Sequence, residues 1–449
     1  MARRRLIMDI GPLKESPPFR RLWAGSVLSA VGAQMTSFAV ALQVYTLTRS
    51  SIAVGMVGLA SAVPSIVFGL AGGSVIDAFD RRRLVLVTSG GLALVSVAFA
   101  VQAFAEYDRL WPLYLLVALQ SLLGALDGPA RRTFLPRLLP AERIPAGAAL
   151  TMFIFHASAT AGPGLGGVVA SAWGLKMCYL VDALSFAASL YGIVRLPAMP
   201  PEGGATRPGL SAVADGFRFI RGNRIIGGAF LADMSATFFG MPLALFPAIN
   251  AEHFGGSAQT LGLLTAAPAV GGIIGSSLSG WVGQVSRQGR AMLIAGAIWG
   301  AGLTGFGLAG SLWLALSLLA LAGAADVISV VFRTTVVQVA TPDRYLGRVS
   351  AAEYVVGVGC PQLGNFRAGA VGSLTSPAAG IVSGGLATIA GAALIGLTIP
   401  ALSRYRAHPA PDAADRPTPD TPGHPAPAAP DAPDAADRLA EDGSTRGSF

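Results

Sequence analysis

The sequence predicts an all-α integral membrane protein with about twelve transmembrane helices in two parallel six-helix halves. Three observations carry that prediction. Of the 449 residues, 53% are hydrophobic and only 12% charged, with a mean hydropathy of +0.59; a soluble domain carries about 25% charged residues. Apolar runs of about 20 residues recur along the chain, each long enough to cross a bilayer as a helix. The chain also repeats itself. Gly73–Arg83 matches Gly280–Arg290 at an offset of 207, and Pro140–Arg143 matches Thr341–Arg344 at 201, an offset that also pairs Arg132-Thr133 with Arg333-Thr334. Pro163–Gly166 matches Pro361–Gly364 at 198. Three matches in order with slowly drifting offsets read as duplication of a six-helix unit.

Taken in order, residues 1–20 form a basic arm without the long apolar core of a cleavable signal. Spans are expected near 21–46, 53–76, 84–105, 111–129, 145–172 and 177–196, which make the N-terminal half, 21–196. A polar central loop, 197–223, follows. Spans near 224–250, 258–283, 291–308, 311–334, 347–371 and 377–402 make the C-terminal half, 224–403. Several spans are rich in Gly, Ala and Ser, which lets helices pack closely in lipid. The tail, 404–449, is rich in Pro, Ala and Asp and repeats Pro-Asp-Ala-Ala-Asp-Arg at 411–416 and 433–438. It cannot bury enough apolar surface to fold and is expected to be disordered.

Arginine and lysine set the orientation. Of the 32, only Arg49, Arg109, Lys176 and Arg367 fall at or near one side; the others lie in the arm, in the alternate loops on its side, and in the tail. By the positive-inside rule, both termini are cytoplasmic.

The turn after the second span reads Gly72-Gly73-Ser74-Val75-Ile76-Asp77-Ala78-Phe79-Asp80-Arg81-Arg82-Arg83. Its spacing Gly73-x-x-x-Asp77-x-x-x-Arg81-Arg82 resembles the loop 2–3 motif of the major facilitator superfamily, with Asp80 where that family usually has Gly. The resemblance implies two six-helix halves with a substrate site between them near the midplane. The fifth span carries Ser158-Ala159-Thr160-Ala161-Gly162-Pro163-Gly164-Leu165-Gly166-Gly167, which resembles the G-x-x-x-G-P-x-x-G-G motif of exporters in the superfamily. Ser158 replaces the first Gly, and Pro163 is expected to bend the helix by removing a backbone hydrogen bond.

The membrane portion, about 19–403, resembles one group more broadly: the exporter family of enterobactin and related siderophores. The matching phrases are Phe19–Trp23, Val54–Gly58, Gly72–Arg83, Gly216–Ile220 and Leu346–Val349, and Cys360–Gly369 looks like actinobacterial members of that group. The resemblance implies a proton-driven antiporter of the cytoplasmic membrane that exports a siderophore or related small natural product. Drug and macrolide exporters share much of the pattern, so multidrug or macrolide efflux is the alternative. No cofactor is expected, the proton gradient supplying the energy. The expected partners are a small-molecule substrate and the lipid bilayer; nucleic acid is not one, and a monomer is expected.

Ionisable and amide side chains deep in a span face a cavity or a partner. Asp233 lies nine residues past Arg224, roughly 13 Å in at 1.5 Å per residue, and is the first candidate for the proton-carrying or substrate-sensing carboxylate. His156, eleven residues into the fifth span, and Gln120 and Gln34 are further proton or substrate candidates. In the family, the loop 2–3 Asp and Arg pair with an acid of the fourth helix and with the start of the eleventh, which implies a cytoplasmic gate of Gly73, Asp77, Arg81, Asp127 and Glu353 here. Asp326 and Arg333, two turns apart on one helix, are expected to pair, and Arg367 to snorkel outward.

Other classes of function find no support in the residues. There is no G-x-x-x-x-G-K-[ST] nucleotide loop and no basic patch interleaved with aromatics. Cys178 and Cys360 lie in apolar runs and offer neither a disulfide framework nor metal spacing. Of four histidines, His408 and His424 are in the tail, His253 is in a loop and His156 is alone in a span. An enzyme is therefore not expected.

Overall fold

The computed structural model describes residues 9–197, 199, 210–278 and 285–405, with side chains at 71–78, 210–212 and 343–344 outside that description. Among the described residues, twelve helical columns form one bundle. The first half contains α1 (Pro17–Thr48), α2 (Ser51–Ala78), α3 (Arg81–Phe104), α4 (Leu110–Arg132), α5 (Ile144–Trp173) and α6 (Leu175–Val194). The second contains α7 in two pieces (α7a, Arg224–Phe239; α7b, Phe246–His253), α8 (Ala258–Leu278), α9 (Gln288–Gly307), α10 (Leu312–Ala340), α11 (Asp343–Leu374) and α12 (Pro377–Thr398). Ten columns are long and apolar enough to cross a membrane on composition alone. The other two are α9, with six glycines in its twenty residues, and α11, which carries Asp343, Arg344, Arg348, Glu353 and Arg367.

Local chemistry sets several helix starts. Ser16 accepts from the Phe19 N–H ahead of α1, with Pro17 and Pro18 at positions that need no donor. Asn223 caps α7a through the Ile225 and Ile226 N–H groups, and Ser376 followed by Pro377 opens α12. At α3 the cap is Asp80, which accepts from the Arg83 N–H at 2.9 Å and from the Met199 N–H at 3.0 Å. The residue that departs from the family motif thus caps a helix and ties down the start of the central segment.

The span expected at 224–250 is broken. Pro242 has no N–H to donate, and α7a ends at Gly240. The orphaned carbonyls of Phe238 and Phe239 are taken by the Arg367 guanidinium from α11, at 3.2 and 2.8 Å. Arg367 therefore does not snorkel outward; it neutralises the negative end of a broken helix. By contrast, α5 remains one continuous helix through Pro163.

The central segment also differs from a plain loop. It contains the helix Leu210–Gly222. Buried Val213 and Ile220 lie on one face, Gly216 lies against the Arg348 carbonyl, and Phe219 stacks on Tyr345 at 4.3 Å. Apolar residues at helical spacing explain this amphipathic element. The tail expected to be disordered lies outside the described residues.

Two seams join the halves. Along α2 and α11, Ser51 lies against Gly369, the Ile52 N–H reaches Ser373 Oγ at 3.1 Å, and the Tyr354 hydroxyl donates to the Ser65 carbonyl at 3.2 Å. Along α5 and α8, Gly167 and Gly262 bring two backbones together: a Cβ on Gly167 would lie 2.6 Å from the Ala258 carbonyl and 3.0 Å from Gly262 Cα. Phe38 of α1 joins Leu245, Phe246 and Ile249 in a core cluster that also crosses the halves. Apart from Tyr354 with Ser65, these contacts gather toward the end of the bundle opposite the N-terminal arm.

Candidate substrate cavity and buried charges

Between the halves lies a cavity of about 490 Å³. Gln34 and Ser37 reach it from α1, Ser61 from α2, Gln120 and Ser121 from α4, and Gln362 and Asn365 from α11. Its lining holds amides, hydroxyls and apolar groups, and no charged side chain among the described residues. Two of the four polar candidates from the sequence, Gln34 and Gln120, thus share one cavity. Asn365 is buried and its Oδ1 has no hydrogen-bond partner among the described residues. A buried acceptor left unpaired costs about 1–3 kcal/mol, so this wall is suited to a ligand that donates a hydrogen bond. The ring of His156 meets Phe155 edge-on at 5.4 Å and, among the described residues, makes no side-chain hydrogen bond.

Asp233 sits toward the arm end of the cavity. Its carboxylate pairs with Arg333 of α10 at 2.9 Å, and Arg333 also reaches Glu353 of α11 at 3.3 Å. The three side chains tie α7, α10 and α11 together. The Arg333 side chain is 13% exposed and Asp233 11%, so each charge needs the other. Asp326 lies within electrostatic reach of both, but Arg333 is committed to Asp233 and Glu353 rather than to Asp326 on its own helix. Glu353 lies nine residues before Gln362, so the triad is about 13 Å along α11 from the cavity wall.

The first half holds its own buried charges. Asp127 accepts from Thr88 at 2.7 Å and Ser89 at 2.9 Å, and pairs with Arg131 of the same helix at 2.5 Å. Arg131 also reaches Ser26, Ser89 and Ser189 at 3.2, 2.8 and 3.1 Å. In this conformation the expected gate residues are not brought together among the described side chains: Asp127 pairs with Arg131, one turn along, and Arg81 is not among its described partners. Glu353 belongs to the Asp233 triad. The Arg81 backbone N–H donates to the Met199 carbonyl at 3.1 Å, and its buried Nε has no hydrogen-bond partner among the described residues. The surroundings of Gly73 and the side chain of Asp77 lie outside what is described. The i, i+4 spacing of Asp127 and Arg131 was a readable signal for their pair.

Asp182 is the other residue the sequence underplays. It is fully buried, with Oδ2 accepting from Thr36 and Ser96, each at 2.8 Å, and Oδ1 without a hydrogen-bond partner among the described residues. Its partners come from α1 and α3, far apart in sequence, so spacing gives no hint of the cluster.

The fifth-helix motif is a packing device in this geometry. Gly162 lies against Gln34 and Val31, Gly166 faces Phe38 and Met35 of α1, the Pro163 carbonyl approaches Gly262, and Gly167 forms the α5–α8 seam. The sequence matches the family described as transmembrane secretion effector over residues 8–417. The chain belongs to this family of major facilitator transporters. The transporter is similar to the enterobactin exporter EntS of Citrobacter koseri, 27% identical over 417 residues, covering 92% of this chain and 100% of that protein. It is similar to EntS of Shigella boydii serotype 18 as well, 26% identical over 405 residues, covering 90% and 97%. Its fold is similar to that of a bacterial homologue of the human lysosomal transporter Spinster, solved in an inward-facing and unoccupied conformation: TM-score 0.65, 15% identity, 88% of this chain and 99% of that one.

Proposed function

We propose that the chain is a proton-coupled exporter of the cytoplasmic membrane, with its arm end in the cytoplasm, that carries a siderophore or related small natural product outward. The observation that carries this reading is the uncharged, amide- and hydroxyl-lined cavity between the halves, with the Asp233–Arg333–Glu353 triad set off toward the arm end. Such walls suit a ligand rich in hydrogen-bonding groups but without strong net charge. The seams gathered at the opposite end leave substrate to enter from the arm side. Protonation of Asp233 releases Arg333 to Glu353 alone and loosens the tie among α7, α10 and α11; re-pairing restores it. Names borne by relatives at 26 and 27% identity supply the substrate class.

The test compares metabolites inside and outside cells with and without the protein, grown with and without iron. An iron-chelating metabolite should be retained inside only in the deletion strain, and complementation with Asp233→Asn should fail to restore its release. An unchanged distribution in the deletion strain sinks the siderophore reading, and gained susceptibility across a drug or macrolide panel would then assign multidrug efflux.

A further inference from the structure

On the lipid-facing side of the second half, α9 and α12 part to leave a groove of about 800 Å³. Its mouth is at the arm end and carries Arg287, Arg290, Ser403 and Arg404; its wall is apolar, with Leu293, Ile294, Ile389 and Leu397. Small residues make the space: Ala297 on α9, and Ala392, Ala393 and Gly396 on α12. The short helix Pro400–Ser403 fixes the mouth. Its Leu402 is fully buried and its backbone lies against Gly289, which brings Arg404 beside the start of α9. All three arginines are exposed, and none makes an ion pair with an acid among the described residues. Helix α9 opens on Arg287 with no side-chain cap and no acidic residue in its first turn, so its unpaired N–H groups add positive potential at the same place.

We propose that this groove binds an anionic phospholipid of the leaflet at the arm end, with the phosphate between Arg287, Arg290 and Arg404 and an acyl chain along the α9–α12 wall. Charge complementarity selects the occupant. Three uncompensated guanidiniums at headgroup depth attract a phosphate, and the cleft below them is open to hydrocarbon and lined by it. A soluble anion would satisfy the arginines but leave the apolar cleft unused. A zwitterionic lipid would fill the cleft but bring no net charge to the mouth.

The test is native mass spectrometry of the full-length chain, stripped of lipid and titrated with palmitoyl-oleoyl phosphatidylglycerol or the matching phosphatidylcholine. The full-length protein should retain phosphatidylglycerol over phosphatidylcholine. One basic side chain at an anionic surface is worth about fivefold in binding, so the triple variant R287Q/R290Q/R404Q should weaken it about a hundredfold. The variant Ala393→Trp, which fills the cleft and leaves the arginines in place, should weaken it too. Equal retention by the full-length protein and both variants overturns the proposal, as does equal retention of the two lipids. Thermal stabilisation by inorganic phosphate alone that matches the lipid's would assign a free anion. Phosphatidylglycerol binding that appears only after truncation following Tyr405 would assign the groove to the chain's own acidic tail.

Discussion

Arg131 donates to four side chains from four helices: Asp127 on its own, Ser26 on α1, Ser89 on α3 and Ser189 on α6. With its partner only 10% exposed, this arginine behaves as the centre of the first half. Removing it strands Asp127 in a site that water cannot fully reach. Arg131→Met should therefore destabilise the protein by about 3 kcal/mol, the scale for breaking a buried pair. The double variant Arg131→Met/Asp127→Leu should recover a large part of that loss, because no charge is left alone. Thermal melts of the purified variants check both, and a double variant no more stable than the single one would show that Asp127 is solvated. Arg333 differs, since it faces two acids. Arg333→Gln should abolish export while leaving folding nearer normal when combined with Asp233→Asn, read as melting temperature against substrate release in the same strains.

At the scale of elements, the seam between α5 and α8 depends on two glycines in register. Gly167→Leu puts a side chain where only 2.6 Å separates a Cβ from the Ala258 carbonyl, and overpacking of this kind costs about 1–3 kcal/mol. That is enough to shift a two-state equilibrium about fivefold to a hundredfold. The distance between spin labels at Asp108 and Gly310, one on a loop of each half, should lengthen in Gly167→Leu, whereas Gly164→Leu, whose Cβ meets open space, should leave it unchanged. The element scale is also where the sequence was most legible. Apolar run length and arginine placement marked the columns, because a bilayer imposes both. The break in α7 was less visible, since its continuity depends on whether a distant Arg367 is present to take the freed carbonyls. The site was legible in part. Gln34 and Gln120 are conspicuous amides in apolar runs and do share the cavity. Arg333 with Asp233, and Asp182 with Thr36 and Ser96, are matched only by folding, which brings together residues 100, 146 and 86 positions apart.

For the whole molecule, export requires the seams at the end opposite the arm to part. Ile52 of α2 and Ser373 of α11 are in hydrogen-bond contact there. A double variant Ile52→Cys/Ser373→Cys, oxidised in membranes, should lose transport to background and regain it on reduction; each single variant should be indifferent to oxidant. The native Cys178 and Cys360 are buried and free, so they add little background. Retained transport in the oxidised double variant would mean that the halves do not separate at this point.

The charged ties toward the arm and the far-end seams between the halves rest on different forces. Arg131, Arg333, Asp127, Asp233 and Glu353 work through charge, whereas the contacts named across the halves at the far end are backbone against backbone, a hydroxyl and packed apolar rings. Contacts of that second kind have nothing for dissolved ions to screen and no group that gains or loses a proton in the ordinary range. In the proposed orientation they face the surroundings of the cell, which the cell does not buffer. The outward door should therefore shut equally firmly in brine or rainwater, while the machinery that answers to protons and salt faces the controlled interior.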